Sequence, residues 1–230
     1  VYAFLGGCVA GAVTGILHTK FQIPALLAGI LTMIGLYSVN LRIMGRATTS
    51  ILGLDTVYTY FGSMNKVNSA LVVGFIATAL VWVFCYTFFG TELGAAIRAT
   101  GDNPQMIRAQ GVNTDTTIIL GLVLSNGLVA ITGALLAQSN GYADVGMGTG
   151  TIVTGLASII IGEVLFGTRS FKNWLTSVVL GSIAYRAVVA IVLKMGMNPN
   201  DLKLLTAIIV AIALALPLIK SKLQKMRSNA

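Results

Sequence analysis

The stretch 67–91, VNSALVVGFIATALVWVFCYTFFGT, holds 25 residues without one Asp, Glu, Lys or Arg. A helix needs about 20 apolar residues to cross the ~30 Å hydrocarbon layer of a membrane. Charge-free stretches of similar character run over 1–19, 21–41, 116–143, 145–162 and 204–219. Spanning helices are therefore expected at about 1–17, 25–41, 69–90, 117–138, 150–167, 174–193 and 204–220. The fold class is all-α: a polytopic transmembrane helix bundle of about seven spans, with residues 1–230 as one transmembrane domain.

Composition points the same way. Of 230 residues, 15 are Lys or Arg and 7 are Asp or Glu, so charged residues make up 10% and hydrophobic ones 56%. Soluble domains carry about 25% charge, and a water-soluble globule of this size has too few charges here to cover its surface. This excludes an ordinary soluble enzyme, a disordered chain and a nucleic-acid-binding domain. The net charge of +8 comes from basic residues scattered between apolar blocks. The chain opens at Val1 without the basic region of a signal peptide, which suggests that residues, one or two spans' worth, precede it. Cys8 and Cys85 lie in apolar blocks and read as small buried hydrophobes. The sequence offers no zinc spacing.

Lys and Arg gather in cytoplasmic loops. One alternating set of loops holds Lys20, Arg98, Arg108, Arg169, Lys172 and the four basic residues of the 220–230 tail. The other holds Arg42, Arg46, Lys66, Lys194 and Lys203, a ratio of nine to five with Arg186 in neither. The tail and the 91–116 loop are expected in the cytoplasm, and 42–68, 139–149 and 194–203 outside. The outer loop 42–68 suits a short strand pair or an interfacial helix, with Tyr58, Tyr60 and Phe61 at headgroup level. Gly7, Gly11 and Gly15 recur every four residues and line one helix face, the pattern that lets a second backbone approach closely in lipid.

No P-loop is present, and the glycines around Gly146–Gly150 have no dinucleotide-binding context. His18, beside Lys20 at a helix end, is expected to be solvated. No carboxylate pair, Ser/His/Asp set or metal-ligand set stands out, so no catalytic or metal site is expected. Polar groups inside the apolar blocks are the candidates for a translocation path: Asn40, Asn126, Thr154, Ser158, Glu163 and Arg186. Charges at such depth are costly, and are usually functional or paired. Glu163 and Arg186 are offset by ~10 Å along their helices at about 1.5 Å per residue, which disfavours a direct pair. The neutral groups serve equally well to hydrogen-bond neighbouring helices.

The loop 91–116 reads TELGAAIRATGDNPQMIRAQGVNTDT. Asp102 is expected to cap a short helix over Gln105–Gln110 whose early turn contains Pro104, and Gly111 to end it. Such a helix beneath a bundle either docks a partner or simply turns the chain.

The run Ala99-Thr-Gly101-Asp-Asn103-Pro-Gln-Met-Ile-Arg108-Ala-Gln-Gly111-Val-Asn113 resembles the cytoplasmic loop of permease subunits of bacterial ABC importers, the family of branched-chain amino acid and ribose-type permeases. Its pattern is A-x-G-x-N-x-x-x-x-R-x-x-G-I-N, with Val112 here in place of Ile. The following helix, LVLSNGLVAITGALLAQSNG, is similar too, and the likeness covers roughly 91–220. The stretch 155–186 departs from sugar and branched-chain members. Glu163, Phe166, Arg169 and Tyr185 resemble a subgroup serving aromatic amino acids.

That resemblance implies a permease that does no bond chemistry itself and has no cofactor of its own. ATP and Mg belong to a partner ATP-binding cassette subunit docked on Arg98, Ala99, Gly101, Asp102, Asn103, Arg108, Gly111 and Asn113. It also implies a second permease copy as a homodimer, an extracellular substrate-binding protein, a bacterial plasma membrane with its lipid, and no nucleic acid. The cargo would be an aromatic or branched-chain amino acid, with a monosaccharide or nucleoside as the alternative. An ion-coupled secondary transporter is the rival of another class, for which Glu163 is the only intramembrane acid available. An inverted repeat is implied as well, and 28–35 and 154–162 are short, glycine-bounded apolar segments that suit paired broken helices.

Overall fold

The computed structural model describes residues 1–59 and 66–195, together with Leu204 and Ile208. The described elements are α1 (Tyr2–Thr19), α2 (Ala25–Met44), β1 (Thr48–Ser50), α3 (Lys66–Phe88), α4 (Glu92–Asp102), α5 (Pro104–Ala109), α6 (Thr114–Asn140), β2 (Tyr142–Asp144), α7 (Thr151–Phe166) and α8 (Phe171–Lys194). They divide into two compact units, Val1–Gly148 and Thr149–Ala230.

Five described helices are long and apolar enough to cross a membrane: α1, α2, Val67–Phe88 of α3, α6 and α8. The helix α7 has 16 residues, or ~24 Å at about 1.5 Å per residue, short of the ~30 Å layer. The seventh expected helix, 204–220, lies outside the described residues apart from Leu204 and Ile208, as do Tyr60, Phe61 and the 220–230 tail. Large apolar side chains such as Leu71 and Phe75 point outward, 67% and 77% exposed, as lipid-facing residues must. What is buried is mostly small.

In the first unit, α1 and α6 pack antiparallel through glycine. A Cβ on Gly7 would stand 2.5 Å from the Asn126 carbonyl oxygen. One on Gly11 would collide with the Leu122 carbonyl, and one on Gly15 would press on Ile119 at 3.0 Å. The reciprocal notch is Gly127, which receives the Phe4 ring. Backbone-to-backbone approach of this kind replaces the hydrophobic effect as the source of helix association in lipid. The helix α2 joins α1 through Ala28, fully buried, and through the Thr14 hydroxyl, which donates to Thr32 Oγ1 at 2.8 Å.

Two ends of this unit are distinct. At the C-terminal end of α6, β1 pairs antiparallel with β2 in the register Thr48↔Asp144 and Ser50↔Tyr142. The Thr48 hydroxyl donates to Asp144 Oδ2 at 2.6 Å, and the Tyr58 hydroxyl donates to the Leu135 carbonyl at 3.2 Å. The expected strand is thus found in the 42–68 loop, but its partner comes from the 139–149 link. The left-handed Gly141, φ +79°, makes the turn that carries α6 into β2. At the opposite end of α6 lie α4, α5 and the α1–α2 connection. There His18 Nδ1 bonds the Ile23 carbonyl at 2.8 Å. His18 is therefore not simply solvated: it closes the turn, which requires the Nδ1–H form of the ring.

In the second unit α7 and α8 form an antiparallel hairpin. Gly162 meets the Ser177 carbonyl and Gly181 meets the Ser158 carbonyl, with no room for a Cβ at either. Ala157 and Ser177 are fully buried in this contact. Neither stretch read as a broken helix is broken. Residues 28–35 lie within continuous α2 and 154–162 within continuous α7, because an interior glycine costs a helix only about 1 kcal/mol relative to alanine and need not interrupt it.

Candidate functional site

The segment 91–116 is two helices where a loop with one short helix was expected. Thr91 caps α4 by accepting from the Gly94 amide. Gly94 lies so close to the Phe88 carbonyl that a Cβ does not fit, and this sets the sharp exit from α3. Hydropathy overlooks α4 because Glu92, Arg98 and Asp102 interrupt it. The cap of α5 is also corrected. Asp102 is the last residue of α4, whereas Asn103 is extended (φ −151°, ψ 90°) and its side chain accepts from the Met106 amide. The reason is Pro104, which bars its predecessor from the helical region and so makes Asn103 the cap. Gly111, φ +85°, ends the short helix in the left-handed conformation. Asn113 then caps α6, accepting from the amides of Asp115 at 3.0 Å and Thr116 at 3.4 Å.

This pair of helices is fastened to α6 at three points. Thr100 and Thr117, 3% and 5% exposed, share a hydroxyl–hydroxyl bond of 2.9 Å. Arg108 donates through Nε and Nη2 to Thr114 Oγ1 at 3.0 and 2.6 Å, and its Nη2 lies 3.4 Å from Asp115 Oδ1. Ile107 is buried beneath α5. The outer surface stays open: Arg98, Gly101, Asp102, Asn103, Arg108, Gly111 and Asn113 are exposed, and Ala99 is half-buried. A Cβ on Gly101 meets nothing within 4 Å. The arrangement is an exposed platform rigidly joined to a long apolar helix. Sequence reasoning named its exposed residues but missed Thr100, Thr114 and Thr117. The only trace of these in the sequence is the threonine enrichment flanking the loop.

The polar groups inside the spans are largely spent on their own helices. Asn126 Nδ2 donates to the Leu122 carbonyl at 2.9 Å, the Thr154 hydroxyl to Thr151 at 3.0 Å, and the Ser158 hydroxyl to Thr154 at 2.8 Å. Asn126 sits in the α1–α6 contact and Ser158 in the α7–α8 contact. Asn40 is exposed near the end of α2. Glu163 accepts from Trp174 Nε1 at 2.7 Å, across the α7–α8 hairpin. It forms no ion pair with Arg186, in keeping with the offset read from the sequence. Arg186 is exposed in the middle of α8, and beside it Tyr185 is buried with a hydroxyl that has no hydrogen-bond partner among the described residues. Among the described residues, no group of three His, Cys, Asp or Glu is placed to hold a metal ion.

A family model described as "Branched-chain amino acid transport system / permease component" matches residues 1–215. The chain is 43% identical over 227 residues to a tyrosine transport system permease protein of Clostridioides difficile (strain R20291), spanning 99% of this chain and 75% of that protein. It is 33% identical over 220 residues to an uncharacterised protein of Rickettsia prowazekii (strain Madrid E), spanning 94% and 77%. It is 30% identical over 164 residues to the autoinducer 2 import system permease protein LsrC of Yersinia pseudotuberculosis serotype O:1b (strain IP 31758), spanning 71% and 46%. No solved structure matches the chain.

Proposed function

This chain belongs to the family of permease components of branched-chain amino acid transport systems, and from that premise we propose that it carries an amino acid, of aromatic or apolar type, into a bacterial cell. It is a multi-pass membrane protein of the ABC-importer permease class. The observation that carries the cargo is the 43% identity, over 99% of the chain, to a permease named for tyrosine transport.

In this reading the α4–α5 platform faces the cytoplasm and receives an ATP-binding subunit, which holds the ATP and Mg. The opposite end, around the β1–β2 clamp, faces a substrate-binding protein. Two copies of the permease flank one path, and the basic tail is cytoplasmic. Three features support a lever. The platform is exposed where a partner would touch it. Its buried hydroxyl pair and Arg108 contacts fasten it to α6. The glycine notches then join α6 to α1. A push on α4–α5 is carried into the membrane by α6, since packed helices move as bodies and do not deform continuously. ATP-driven closure would swing the platform and alternate the access of the path.

The test is ATP-dependent uptake of labelled tyrosine in proteoliposomes that hold the permease and its two partners. Gly101→Glu changes only the exposed platform surface, since nothing lies within 4 Å of the new side chain's root. It should weaken capture of the ATP-binding subunit while insertion is normal. Unchanged capture and uptake would remove the platform from the coupling role. A sugar-type cargo is a second reading, favoured by the 30% identity to the autoinducer 2 permease over 71% of the chain. A ligand screen on the partner binding protein, with amino acids, monosaccharides and nucleosides, separates the two.

A further inference from the structure

The helix α8 runs unbroken from Phe171 to Lys194 through Arg186. At about 1.5 Å per residue, Arg186 stands ~22 Å from the first residue of the helix and ~12 Å from the last. That is inside a hydrocarbon layer of about 30 Å, and the side chain is exposed on the surface of the chain. Lipid tails offer a guanidinium neither an acceptor nor a countercharge. A cation at this depth therefore faces a water-filled path, a protein partner or an anion.

The described apolar helices carry two acids, and both are engaged. Asp115 lies 3.4 Å from Arg108. Glu163 holds Trp174 at 2.7 Å, and the contacts of Gly162 with Ser177 and of Gly181 with Ser158 set it ~12 Å along the hairpin from Arg186, taking about 1.5 Å per residue. The described apolar helices of a second copy would bring the same two engaged acids.

Tyr185 supplies an independent observation. It is 6% exposed, and its hydroxyl is buried without a partner among the described residues. Buried hydroxyls are nearly always bonded, and one without a partner among the described residues points to a further group outside them. A guanidinium with five donors and a phenol with one donor together match a carboxylate, which only accepts and has about four lone-pair sites.

We propose that Arg186 and Tyr185 form a carboxylate-recognising station in the permease, at which the carboxylate of the passing solute accepts hydrogen bonds from the guanidinium and the phenol. The inference rests on the transport reading above and deepens it. It gives the membrane path a selection of its own, for carboxylate-bearing solutes over neutral sugars, in addition to whatever the binding protein selects.

The test uses the complete transporter in proteoliposomes, with tyrosine uptake normalised to assembled complex. Arg186→Gln should lower uptake by about tenfold or more, Tyr185→Phe by about threefold, and Arg186→Lys should restore most of it, as expected when a charge-assisted hydrogen bond to the solute is lost or kept. Assembly of the complex should match wild type throughout. A direct readout accompanies uptake: tyrosine labelled with carbon-13 at its carboxylate should show a magnetic dipolar contact to guanidinium nitrogen-15 in the wild type, and none in Arg186→Lys. Wild-type uptake by Arg186→Gln, or absence of that contact in the wild type, overturns the station. Loss of assembled complex with normal uptake per remaining complex also overturns it, and makes Arg186 an interface residue. A wild-type complex that moves no amino acid with ATP overturns the transport reading itself, and this inference with it.

Discussion

The hydroxyls of Thr100 and Thr117 meet 2.9 Å apart in a buried contact that fastens α4 to α6. Each also has a backbone carbonyl of its own helix within reach. A hydroxyl carries one proton, so one of the pair donates across the contact while the other donates to its own helix, Thr100 to the Ala96 carbonyl at 2.7 Å or Thr117 to the Thr114 carbonyl at 2.9 Å. The two helices are thus held through side chains whose own orientation is fixed, which gives the contact a single geometry. Between the exposed platform and the spanning helix there is a short, stiff path.

Thr117→Val removes the shared hydroxyl and keeps the volume. The expected cost is about 1 kcal/mol of stability, the usual worth of one net hydrogen bond. The larger effect is expected on coupling, since α4 loses its fixed register on α6. Transported solute per ATP hydrolysed should fall, while Thr117→Ser retains it. Thermal unfolding in detergent and parallel uptake and ATPase assays measure the two effects, and an unchanged transport-to-ATP ratio would discard the stiff-path argument.

The α1–α6 notch predicts steep intolerance at Gly11. Any side chain there collides with the Leu122 carbonyl, and backbone cannot step aside as a side-chain tip can. Gly11→Leu should cost about 1–3 kcal/mol or more and lower the yield of monodisperse protein. Gly133→Ala, where nothing lies within 4 Å on the same helix α6, should be neutral or stabilising by up to about 1 kcal/mol. Chromatographic yield and midpoint temperature of the two variants decide the matter, with equal behaviour counting against the notch.

Glu163 and Trp174 should behave as a pair, and Glu163 and Arg186 as strangers. A double-mutant cycle between Glu163→Gln and Trp174→Phe should give a coupling of about 1 kcal/mol, at the low end for a bond to a charged acceptor because both side chains are partly exposed. The cycle between Glu163→Gln and Arg186→Gln should be additive within about 0.5 kcal/mol, as for groups more than about 7–10 Å apart. A coupling larger in the second cycle than in the first would reverse the assignment.

Asn103→Ala removes the cap of α5 and leaves the Met106 amide unpaired. Caps of this kind are worth about 1 kcal/mol, and for a helix of six residues that is enough to fray it. Limited proteolysis should cut within 103–111 faster in this variant, whereas Asn103→Asp, an equally good cap, should resist like the wild type. Equal cutting rates for all three would mean that Ile107 and Arg108 alone hold the helix.

Much of this protein can be read from its residues in order, because lipid imposes simple rules. The spacing of charges locates the spanning helices, since a charge inside the hydrocarbon layer is costly wherever the helix lies. The Gly7, Gly11 and Gly15 face is legible because a four-residue repeat of small side chains can only line one side of a helix. The run from Ala99 to Asn113 carries the family likeness in its exposed residues, which are the ones a partner surface would constrain.

Other features escape that reading, most of them because tertiary structure decides them. The helix α4 is invisible to hydropathy, because an interfacial helix needs one apolar face and not an apolar length. Asn103 displaces Asp102 as cap through the steric demand of Pro104, a local effect that propensity alone ranks equally for both residues. The strand at Thr48–Ser50 finds its partner 96 residues away, Thr48 with Asp144, and no short-range pattern encodes a pairing that distant. The polar residues of the spans divide only in three dimensions. Asn126, Thr154 and Ser158 bond their own helix carbonyls, Glu163 bonds Trp174, and Arg186 and Tyr185 find no partner among the described residues. Which donor finds an acceptor depends on the rotation and register of packed helices, and those are set by where glycine lets two backbones touch.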